Sequence, residues 1–335
     1  MRLLVTGGLG FIGGNFIRRA IEDDSYSKIV NVDALRYGSD KRNLAELRKN
    51  PRYEFVRGDI ADPTFVRRRV RGVDAVVNFA AESHVDRSIA DPAPFVRSNI
   101  IGAYNVLEAV RENGIDMFVQ VSTDEVYGPA GAGEAFDEGS RLRPSNPYAA
   151  TKASAEALAM SYHNTYGTRA IVTRCSNNFG PYQFPEKLIP KTIIRALRGM
   201  KVPIYGKGDQ SRSWIYVLDH VEALKRVLLK GRPGEVYNIA AWNEVTNLRL
   251  VEKVLSLMGK DKDIVEHVED RPGHDRRYSI DASKIRRDLG WSPEHGFDEA
   301  LRETVDWYLD NRSWWRPLAT KSALHEAPWK PRRRR

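Results

Sequence analysis

The sequence predicts an α/β fold, a doubly wound parallel sheet followed by a smaller C-terminal lobe. Through residues 1–176, short apolar runs alternate with helical segments, the pattern of a parallel sheet covered on both faces. A glycine-rich turn follows the first run, where such sheets commonly bind phosphate groups. After Asn177 the chain changes to proline-rich loops around a few helices, so we expect a second lobe there.

Apolar runs in the first part of the chain are predicted as strands. They are Met1–Thr6, Lys28–Asp33, Tyr53–Asp59, Ala75–Ala80, Met117–Val121 and Arg169–Arg174. The helical segments between them include Asn99–Glu112 and Pro147–Tyr166, and Glu235–Ala240 is expected to return to the sheet. The predicted division is a sheet domain (1–176), an interleaved lobe (177–316) and a basic tail (317–335).

Composition restricts the class of protein. Of the 335 residues, 41% are hydrophobic and 29% are charged, which suits a globular chain with a sizeable core. No stretch approaches the ~18 apolar residues of a membrane span. Met1 leads directly into a predicted strand and leaves no room for a signal peptide, so we expect a cytoplasmic protein. With one cysteine, Cys175, and seven scattered histidines, neither a disulfide nor a metal site is expected.

The formal net charge of +9 is concentrated at the C-terminus. Lys330 and Arg332–Arg335, in the closing WKPRRRR, supply more than half of it. A solvated end is the simplest interpretation of this tail, and nucleic-acid binding is the less favoured one. Surplus positive charge also suits an anionic small substrate such as a nucleotide.

The first turn carries a dinucleotide-binding pattern. In TGGLGFIGG, Gly7, Gly10 and Gly13 are spaced G-x-x-G-x-x-G between a predicted strand and a helix. Backbone amides can approach a pyrophosphate there, and the helix N-terminus favours its charge. Asp33 ends the second strand, where a carboxylate binds ribose hydroxyls and repels a 2′-phosphate. The pattern predicts a Rossmann domain with NAD as cofactor, the alternative being a plain glycine turn with Asp33 in solvent.

The segment NPYAATK adds a second chemical feature. Asn146 can cap a helix, so that Tyr148 and Lys152, four residues apart, lie on one face of it. A nearby ammonium, helped by a positive nicotinamide ring, is expected to lower the pKa of the phenol and make it a usable base. After a strand that ends in Thr123, the pair indicates an alcohol-oxidising site.

Together these motifs resemble a known family. The glycine pattern, Thr123 and the Tyr148/Lys152 pair are similar to the extended short-chain dehydrogenase/reductase family. Within it, AAESHVDRS, STDEVYG, SNNFGPYQFPEKLIP and DRPGHDRRY resemble the dTDP-glucose 4,6-dehydratases, in order and as far as about Trp314. The resemblance implies an NAD domain, a nucleotide-sugar lobe and a homodimer. It implies a lyase of deoxysugar biosynthesis that dehydrates dTDP-glucose to dTDP-4-keto-6-deoxyglucose.

The chemistry of that family accounts for the two adjacent acids of STDEVYG. Oxidation of the sugar C4 hydroxyl acidifies the C5 hydrogen, so a base can remove it while an acid protonates the departing C6 hydroxyl. By resemblance, Glu125 is the base and Asp124 the acid, which requires a raised pKa for Asp124. Thr123 would hydrogen-bond the C4 oxygen, and Tyr148, supported by Lys152, would take its proton. A solvated acidic loop is the structural alternative.

Binding residues are assigned by resemblance, position by position. The cofactor-binding set is Gly7, Gly10, Phe11, Ile12, Gly13, Asp33, Asp59, Ile60, Ala80, Ala81, Asn99, Tyr148 and Lys152. The substrate-binding set is Ser83, Thr123, Asn177, Lys187, Leu188, Tyr205, Arg212, Asn247, Arg271 and His274. Arginine suits the diphosphate through its fork of donors. His84, in ESHVD, is interpreted either as structural or as a substrate contact.

One departure from the family pattern bears on the substrate. The residue after the arginine of SRSW is usually acidic and here is Ser213, which leaves the base or sugar preference open. A UDP-sugar 4,6-dehydratase, 4-epimerase or decarboxylase would share the fold, NAD, Tyr148 and Lys152. An epimerase has no elimination step, so Asp124 and Glu125 argue against it. A non-catalytic NAD-binding or RNA-binding protein would not need the acid–base set.

Overall fold

The structure, a computed structural model, describes residues 1–330. Its strands are β1 (Arg2–Thr6), β2 (Lys28–Asp33), β3 (Tyr53–Arg57), β4 (Ala75–Asn78), β5 (Met117–Thr123), β6 (Ala170–Cys175), β7 (Asn177–Phe179), β8 (Val202–Tyr205), β9 (Ser211–Tyr216), β10 (Val236–Ile239), β11 (Glu244–Thr246) and β12 (Val265–Val268). Its α-helices are α1 (Phe11–Ala20), α2 (Pro63–Val70), α3 (Val85–Ala90), α4 (Ala93–Phe95), α5 (Gly102–Glu112), α6 (Pro147–Tyr166), α7 (Leu188–Leu197), α8 (Val217–Lys230), α9 (Asn247–Leu257), α10 (Ser283–Leu289), α11 (Phe297–Asp310) and α12 (Arg312–Trp315). Short 3₁₀ turns span Lys41–Lys49, Asp124–Tyr127 and Lys262–Ile264, and a π-type segment spans Val96–Ile101. Within residues 1–330, no helix combines the length and apolar character that crossing a bilayer would take.

The central sheet has seven strands in the order β10-β6-β5-β4-β1-β2-β3. Each pairing between neighbours in it is parallel. The chain runs from β1 outward to β3 and then returns to β4 on the other side of β1. The carboxyl ends of β1 and β4 therefore flank a crevice, the usual ligand site of a doubly wound sheet. This is the fold that the sequence predicts.

Apolar side chains on both faces of the sheet hold the covering helices. Along β1, Leu3 and Val5 pack into one core with Phe16 of α1, whereas Leu4 packs into the other with Val106 of α5. Strands buried on both faces need apolar residues at successive positions, which explains the continuous runs in the sequence. The strand β5 extends two residues past its predicted end and so carries Thr123 at its tip.

The smaller lobe is interleaved with the sheet domain. Its β7, β9 and β11 form a three-stranded sheet, and β8 pairs with β12. Between these elements the chain returns to the larger domain, where α8 packs against α1 and β10 pairs in parallel with β6. We propose that residues 177–316 form the smaller lobe, which is interleaved with the sheet domain.

The chain end from residue 317, predicted as a basic tail, packs onto the smaller lobe. Its buried residues are Ala319, Ala323, Leu324, Ala327 and Trp329. The carbonyl of Leu324 accepts a hydrogen bond from Arg195 of α7 at 2.6 Å, and Lys330 pairs with Glu269 at 2.6 Å. The expectation of a solvated end for WKPRRRR is wrong for Trp329, which is buried, whereas Lys330 is exposed. Arg332–Arg335 lie outside the described residues.

Candidate active site

The turn between β1 and α1 brings bare backbone to the crevice. Gly7 has a φ of +70°, and a Cβ there would lie 2.6 Å from the amide nitrogen of Ala80. A Cβ on Gly13 would lie 2.6 Å from the carbonyl oxygen of Gly7. In the described part of the chain, no side-chain hydrogen bond caps the N-terminus of α1 at Gly10. The first amides of α1 are thus left for a ligand, and the helix dipole favours a phosphate there.

Asp33 lies beside this turn, at the end of β2. Its carboxylate is 6% exposed and accepts hydrogen bonds from the amides of Leu9 at 3.0 Å and Leu35 at 2.8 Å. Burial raises the pKa of the carboxyl, and the two amide hydrogen bonds oppose that shift. Asp33 is therefore held in the crevice, not in solvent, and its remaining lone pairs can accept from ribose hydroxyls. The glycine turn and Asp33 together fit the adenosine diphosphate half of NAD.

The helix α6 carries Tyr148 and Lys152 into the same crevice. Its N-terminus has the predicted cap, since the side chain of Asn146 accepts from the amide of Ala149 at 2.9 Å. The ammonium of Lys152 donates to the carbonyl of Val121 on β5 at 2.6 Å. Burial lowers the pKa of Lys152 to about 8.

The pKa of Tyr148 departs from the sequence expectation. Burial raises the pKa of the phenol well above its usual range, Glu125 adds to the shift, and hydrogen bonding with Thr123 opposes it. Within the protein alone, burial thus outweighs the lowering expected from Lys152. A phenolate at this position needs more positive charge, and the nicotinamide ring of a bound NAD would supply it.

The turn after β5 places two carboxyl groups next to a hydroxyl. Thr123 Oγ1 donates to Asp124 Oδ1 at 3.3 Å and accepts from the amide of Glu125 at 3.3 Å. Asn146 Nδ2 donates to Glu125 Oε2 at 3.4 Å. Asp124 is 2% exposed, and its Oδ2 has no hydrogen-bond partner within residues 1–330.

The two carboxyl groups differ in environment. Burial, with the charge of Glu125 as the second cause, raises the pKa of Asp124 to about 8. Asp124 therefore keeps its proton at neutral pH and can donate it. Paired acids whose environments separate their pKa values are suited to the roles of general acid and general base.

Basic side chains of the smaller lobe close the crevice over these acids. Arg212, on β9, donates to the carbonyl of Asp275 at 2.8 Å and lies 4.2 Å from the ring centre of Tyr278. Arg271 pairs with Asp86 at 2.7 Å, and its buried Nε has no partner among the described residues. Guanidinium groups fixed in this way, with donors to spare, suit a diphosphate.

One cleft brings together the predicted site residues, with the exception of Asn99. Asn99 is 2% exposed and lies behind the lining. Its Nδ2 donates to the carbonyl of Glu82 at 3.0 Å and to Thr151 Oγ1 at 2.9 Å, and its Oδ1 accepts from the amide of Glu82 at 2.8 Å. Its amide thus braces the loop after β4 against α6, and the role of Asn99 in binding the cofactor stays a prediction.

Known proteins are similar to this chain in sequence and in fold. The family model described as GDP-mannose 4,6 dehydratase matches residues 4–304. A dTDP-glucose 4,6-dehydratase from Streptomyces niveus is 48% identical over 332 residues, which cover 98% of each chain. The chain belongs to the dTDP-glucose 4,6-dehydratase family. DesIV, a dTDP-glucose 4,6-dehydratase from Streptomyces venezuelae solved with NAD bound, has a TM-score of 0.93 and 46% identity, covering 95% of this chain and 100% of its own.

A further similar structure belongs to an enzyme with different chemistry. UDP-glucuronic acid 4-epimerase from Bacillus cereus, solved with UDP-glucuronic acid and NAD, has a TM-score of 0.88. It is 27% identical and covers 92% of this chain and 99% of its own. The fold is thus common to dehydratases and epimerases, and the site residues have to decide between the two.

Some lining residues of this family member escape the sequence analysis. They are Tyr37, Glu186, Lys191, Trp214 and Tyr278. Trp214 and Tyr278 lie inside the motifs SRSW and DRPGHDRRY, so the motifs could have identified them. Tyr37 carries no such signal: it follows β2, and its hydroxyl reaches the cleft by donating to Glu186 of the other lobe.

His84 lines the cleft as a buried ring. It packs edge-on against Tyr37 and Phe184, with ring centres 5.0 and 5.8 Å away. Burial lowers the pKa of the imidazole well below its usual range, and the charge of Lys187 adds to the shift. The ring is therefore neutral at physiological pH, and its packing supports the structural interpretation.

Proposed function

We propose that the protein is an NAD-dependent dTDP-glucose 4,6-dehydratase, a hydro-lyase that forms dTDP-4-keto-6-deoxyglucose. The observation that carries the proposal is the acid pair, in which the buried Asp124 keeps its proton beside Glu125. An elimination of water needs an acid and a base in addition to Tyr148, whereas a 4-epimerase has no elimination step and does not need this second pair. The 48% identity to a relative named for this activity supports the same reaction.

Each catalytic side chain has a separate task in this reaction. Tyr148 takes the proton of the sugar C4 hydroxyl, while Thr123 hydrogen-bonds the C4 oxygen. NAD, held by the glycine turn and Asp33, supplies the redox chemistry by accepting hydride from C4 and returning it to C6. The C4 ketone acidifies C5, from which Glu125 removes a proton, and Glu125 returns a proton to C5 when hydride adds to C6. Asp124 gives its own proton to the C6 hydroxyl, which leaves as water.

The second candidate is a UDP-sugar 4,6-dehydratase, raised by the departure at Ser213. Arg212 and Trp214 line the cleft from β9, and Ser213 between them points to the other face of the strand. Its hydroxyl donates to the carbonyl of Ala241 at 2.7 Å. The departure therefore lies outside the cleft lining and by itself does not favour UDP over dTDP.

Incubation with dTDP-glucose and UDP-glucose side by side tests the proposal. We expect the alkali-sensitive 4-keto-6-deoxy product from dTDP-glucose. Product from UDP-glucose alone would select the second candidate, and an epimerised hexose without loss of water would indicate a 4-epimerase. If neither sugar nucleotide reacts, the proposed function is wrong.

We further propose that the enzyme is a cytoplasmic homodimer. Large apolar side chains are exposed on and next to the neighbouring helices α5 and α6, namely Val96, Ile101, Tyr104 and Tyr166. A second copy of the chain would cover such a patch. Sedimentation equilibrium measures the mass of the protein in solution and so tests the homodimer. The cytoplasmic location is a prediction from the sequence.

Asp33→Ala is expected to weaken NAD binding and to relax the rejection of NADP. The carboxylate would otherwise accept from the ribose hydroxyls and repel a 2′-phosphate. A hydrogen bond to a charged group contributes ~1.5–3 kcal/mol, so we expect NAD to bind roughly 10–100-fold more weakly. Titration of cofactor-free protein with NAD and NADP measures both effects. Asp40→Ala is the control, since Asp40 also accepts a hydrogen bond from a backbone amide but lies outside the cleft. An unchanged cofactor preference in Asp33→Ala would remove Asp33 from the site.

Arg212→Ala and Arg271→Ala are each expected to raise the KM for dTDP-glucose by ~10–100-fold, with a smaller effect on kcat. Both guanidinium groups line the cleft and are proposed to bind the diphosphate. Steady-state kinetics over a range of substrate concentrations separate the two parameters. Arg277→Ala is the control, because Arg277 pairs with Glu244 at 2.8 Å and does not line the cleft. An unaltered KM in both cleft variants would place the substrate elsewhere.

A further inference from the structure

Behind the catalytic residues of α6 lies a carboxylate that the proposed mechanism does not use. Glu156 follows Lys152 by one helical turn, as Lys152 follows Tyr148, so the three side chains share one face of the helix. Glu156 is 2% exposed. Its Oε2 accepts from Arg174 of β6, from Nε at 2.9 Å and from Nη2 at 2.8 Å. Its Oε1 is buried without a hydrogen-bond partner in the described chain.

The polar groups around Glu156 and Lys152 come from three elements. They are Lys152 and Glu156 themselves on α6, Ser122 on β5, and Arg174 and Cys175 on β6. Arg174 is fixed at its far side as well, since its Nη1 donates to the hydroxyl of Tyr127 at 2.7 Å. That hydroxyl in turn donates to Asn238 Oδ1 on β10 at 2.8 Å.

Burial works against the positive charge of Lys152. Burial lowers the pKa of Lys152, and two groups oppose this shift, Glu156 with the larger effect and Cys175 with the smaller. Burial raises the pKa of the Cys175 thiol to about 12, so Cys175 is neutral at working pH. Glu156 therefore supplies the negative charge. Burial raises the pKa of Glu156, and the two N–H groups of Arg174, which stays protonated, oppose that shift by favouring the carboxylate.

We propose that Glu156 is a positioning residue that keeps Lys152 in its ammonium form, with Arg174 as the anchor of Glu156. The ammonium holds the carbonyl of Val121 next to the tip of β5. Lys152 lies one helical turn from Tyr148 on the same face of α6. The inference rests on the proposed function, in which Tyr148 acts as the base. Its effect increases with pH, because Lys152 is protonated in any case when the pH is low.

Glu156→Gln in the purified holoenzyme tests this role. Glutamine keeps the size of the side chain and an acceptor for Arg174 but removes the charge. A neighbouring opposite charge shifts a pKa by ~1–3 units, so we expect the alkaline limb of the kcat profile to move to lower pH by about one unit. The loss relative to the unmodified enzyme should then grow from less than about twofold near pH 6.5 to roughly tenfold above pH 8.

Chemical labelling of Lys152 provides a readout that does not depend on turnover. An amine-selective acylating reagent reacts with the neutral amine, so its rate at a series of pH values reports the pKa of Lys152. Mass spectrometry of the peptide that contains Lys152 measures that rate. We expect the midpoint to lie at lower pH in Glu156→Gln. Glu138→Gln is the matched control, since it removes a half-buried carboxylate outside the cleft lining that does not act on Lys152.

The outcomes separate this inference from the proposed function. An unshifted labelling midpoint in Glu156→Gln would overturn the inference about Glu156. An equal loss of kcat at every pH would also overturn it, because that result indicates a structural defect only. If Glu156→Gln does not fold, Glu156→Asp takes its place, because the shorter side chain draws the carboxylate back from Lys152. This variant should shift the labelling midpoint in the same direction by a smaller amount. The absence of any shift would overturn the inference. Failure of the proposed function would appear instead as an unmodified enzyme that does not convert dTDP-glucose.

Discussion

Glu125→Gln is expected to lower kcat by ~10²–10⁴, the usual contribution of a general base. The glutamine oxygen can still accept from Asn146 Nδ2, which lies 3.4 Å from Glu125 Oε2, so the turn should keep its shape. Thr123, Tyr148 and Lys152 are untouched, so C4 oxidation should proceed while removal of the C5 proton becomes slow. In D₂O the unmodified enzyme should place one deuterium at C5 of the product, and the variant should do so at a rate that falls with kcat.

The control for Glu125→Gln is Glu138→Gln, the same chemical change outside the cleft lining. It should retain the normal turnover and the normal incorporation of deuterium at C5. A thermal unfolding curve of each variant separates lost stability from lost chemistry. If Glu125→Gln forms product at the normal rate, Glu125 is not the base.

Tyr148→Phe should reduce kcat by a similar ~10²–10⁴, but at the earlier step. Phenylalanine keeps the ring, which packs edge-on against Phe95 with ring centres 6.4 Å apart, and removes only the hydroxyl. Without the phenol, the proton of the C4 hydroxyl has no acceptor. The C5 hydrogen is then never acidified, and exchange at C5 should disappear together with product.

Kinetic isotope effects distinguish Tyr148→Phe from Glu125→Gln. With substrate deuterated at C4, Tyr148→Phe should show a large isotope effect on kcat, because C4 oxidation limits its rate. Glu125→Gln should show a large effect with substrate deuterated at C5 instead. Tyr162→Phe, on the same helix but with its hydroxyl on Glu108 at 2.6 Å, is the control and should retain turnover. Full activity in Tyr148→Phe would contradict the assignment of the phenol as base.

The features that the sequence predicts well depend on neighbours in the chain. The cap at Asn146 and the shared face of Tyr148 and Lys152 follow from helical geometry over a few residues. The turn glycines Gly7 and Gly13 mark a place where backbone must approach closely, and the structure has that close approach. The strands of the central sheet are recognisable because burial on both faces requires continuous apolar residues.

The features that the sequence does not predict depend on distant contacts. Asn99 is buried behind the cleft lining, where Glu82 and Thr151, from two other segments, satisfy its amide. Tyr37 enters the cleft because Glu186 of the other lobe meets its hydroxyl. Neither contact leaves a pattern in the residues on either side.

The sequence by itself determined the doubly wound sheet, the glycine turn, the candidates for the reacting side chains and, through its motifs, the family. Only the tertiary structure decided their charge states and their surroundings. Burial holds the proton on Asp124, and burial outweighs the effect of Lys152 on Tyr148. The buried pair of Glu156 and Arg174 joins a helix to a strand. A pKa depends on desolvation and on every nearby charge, and packing, not adjacency in the chain, determines both.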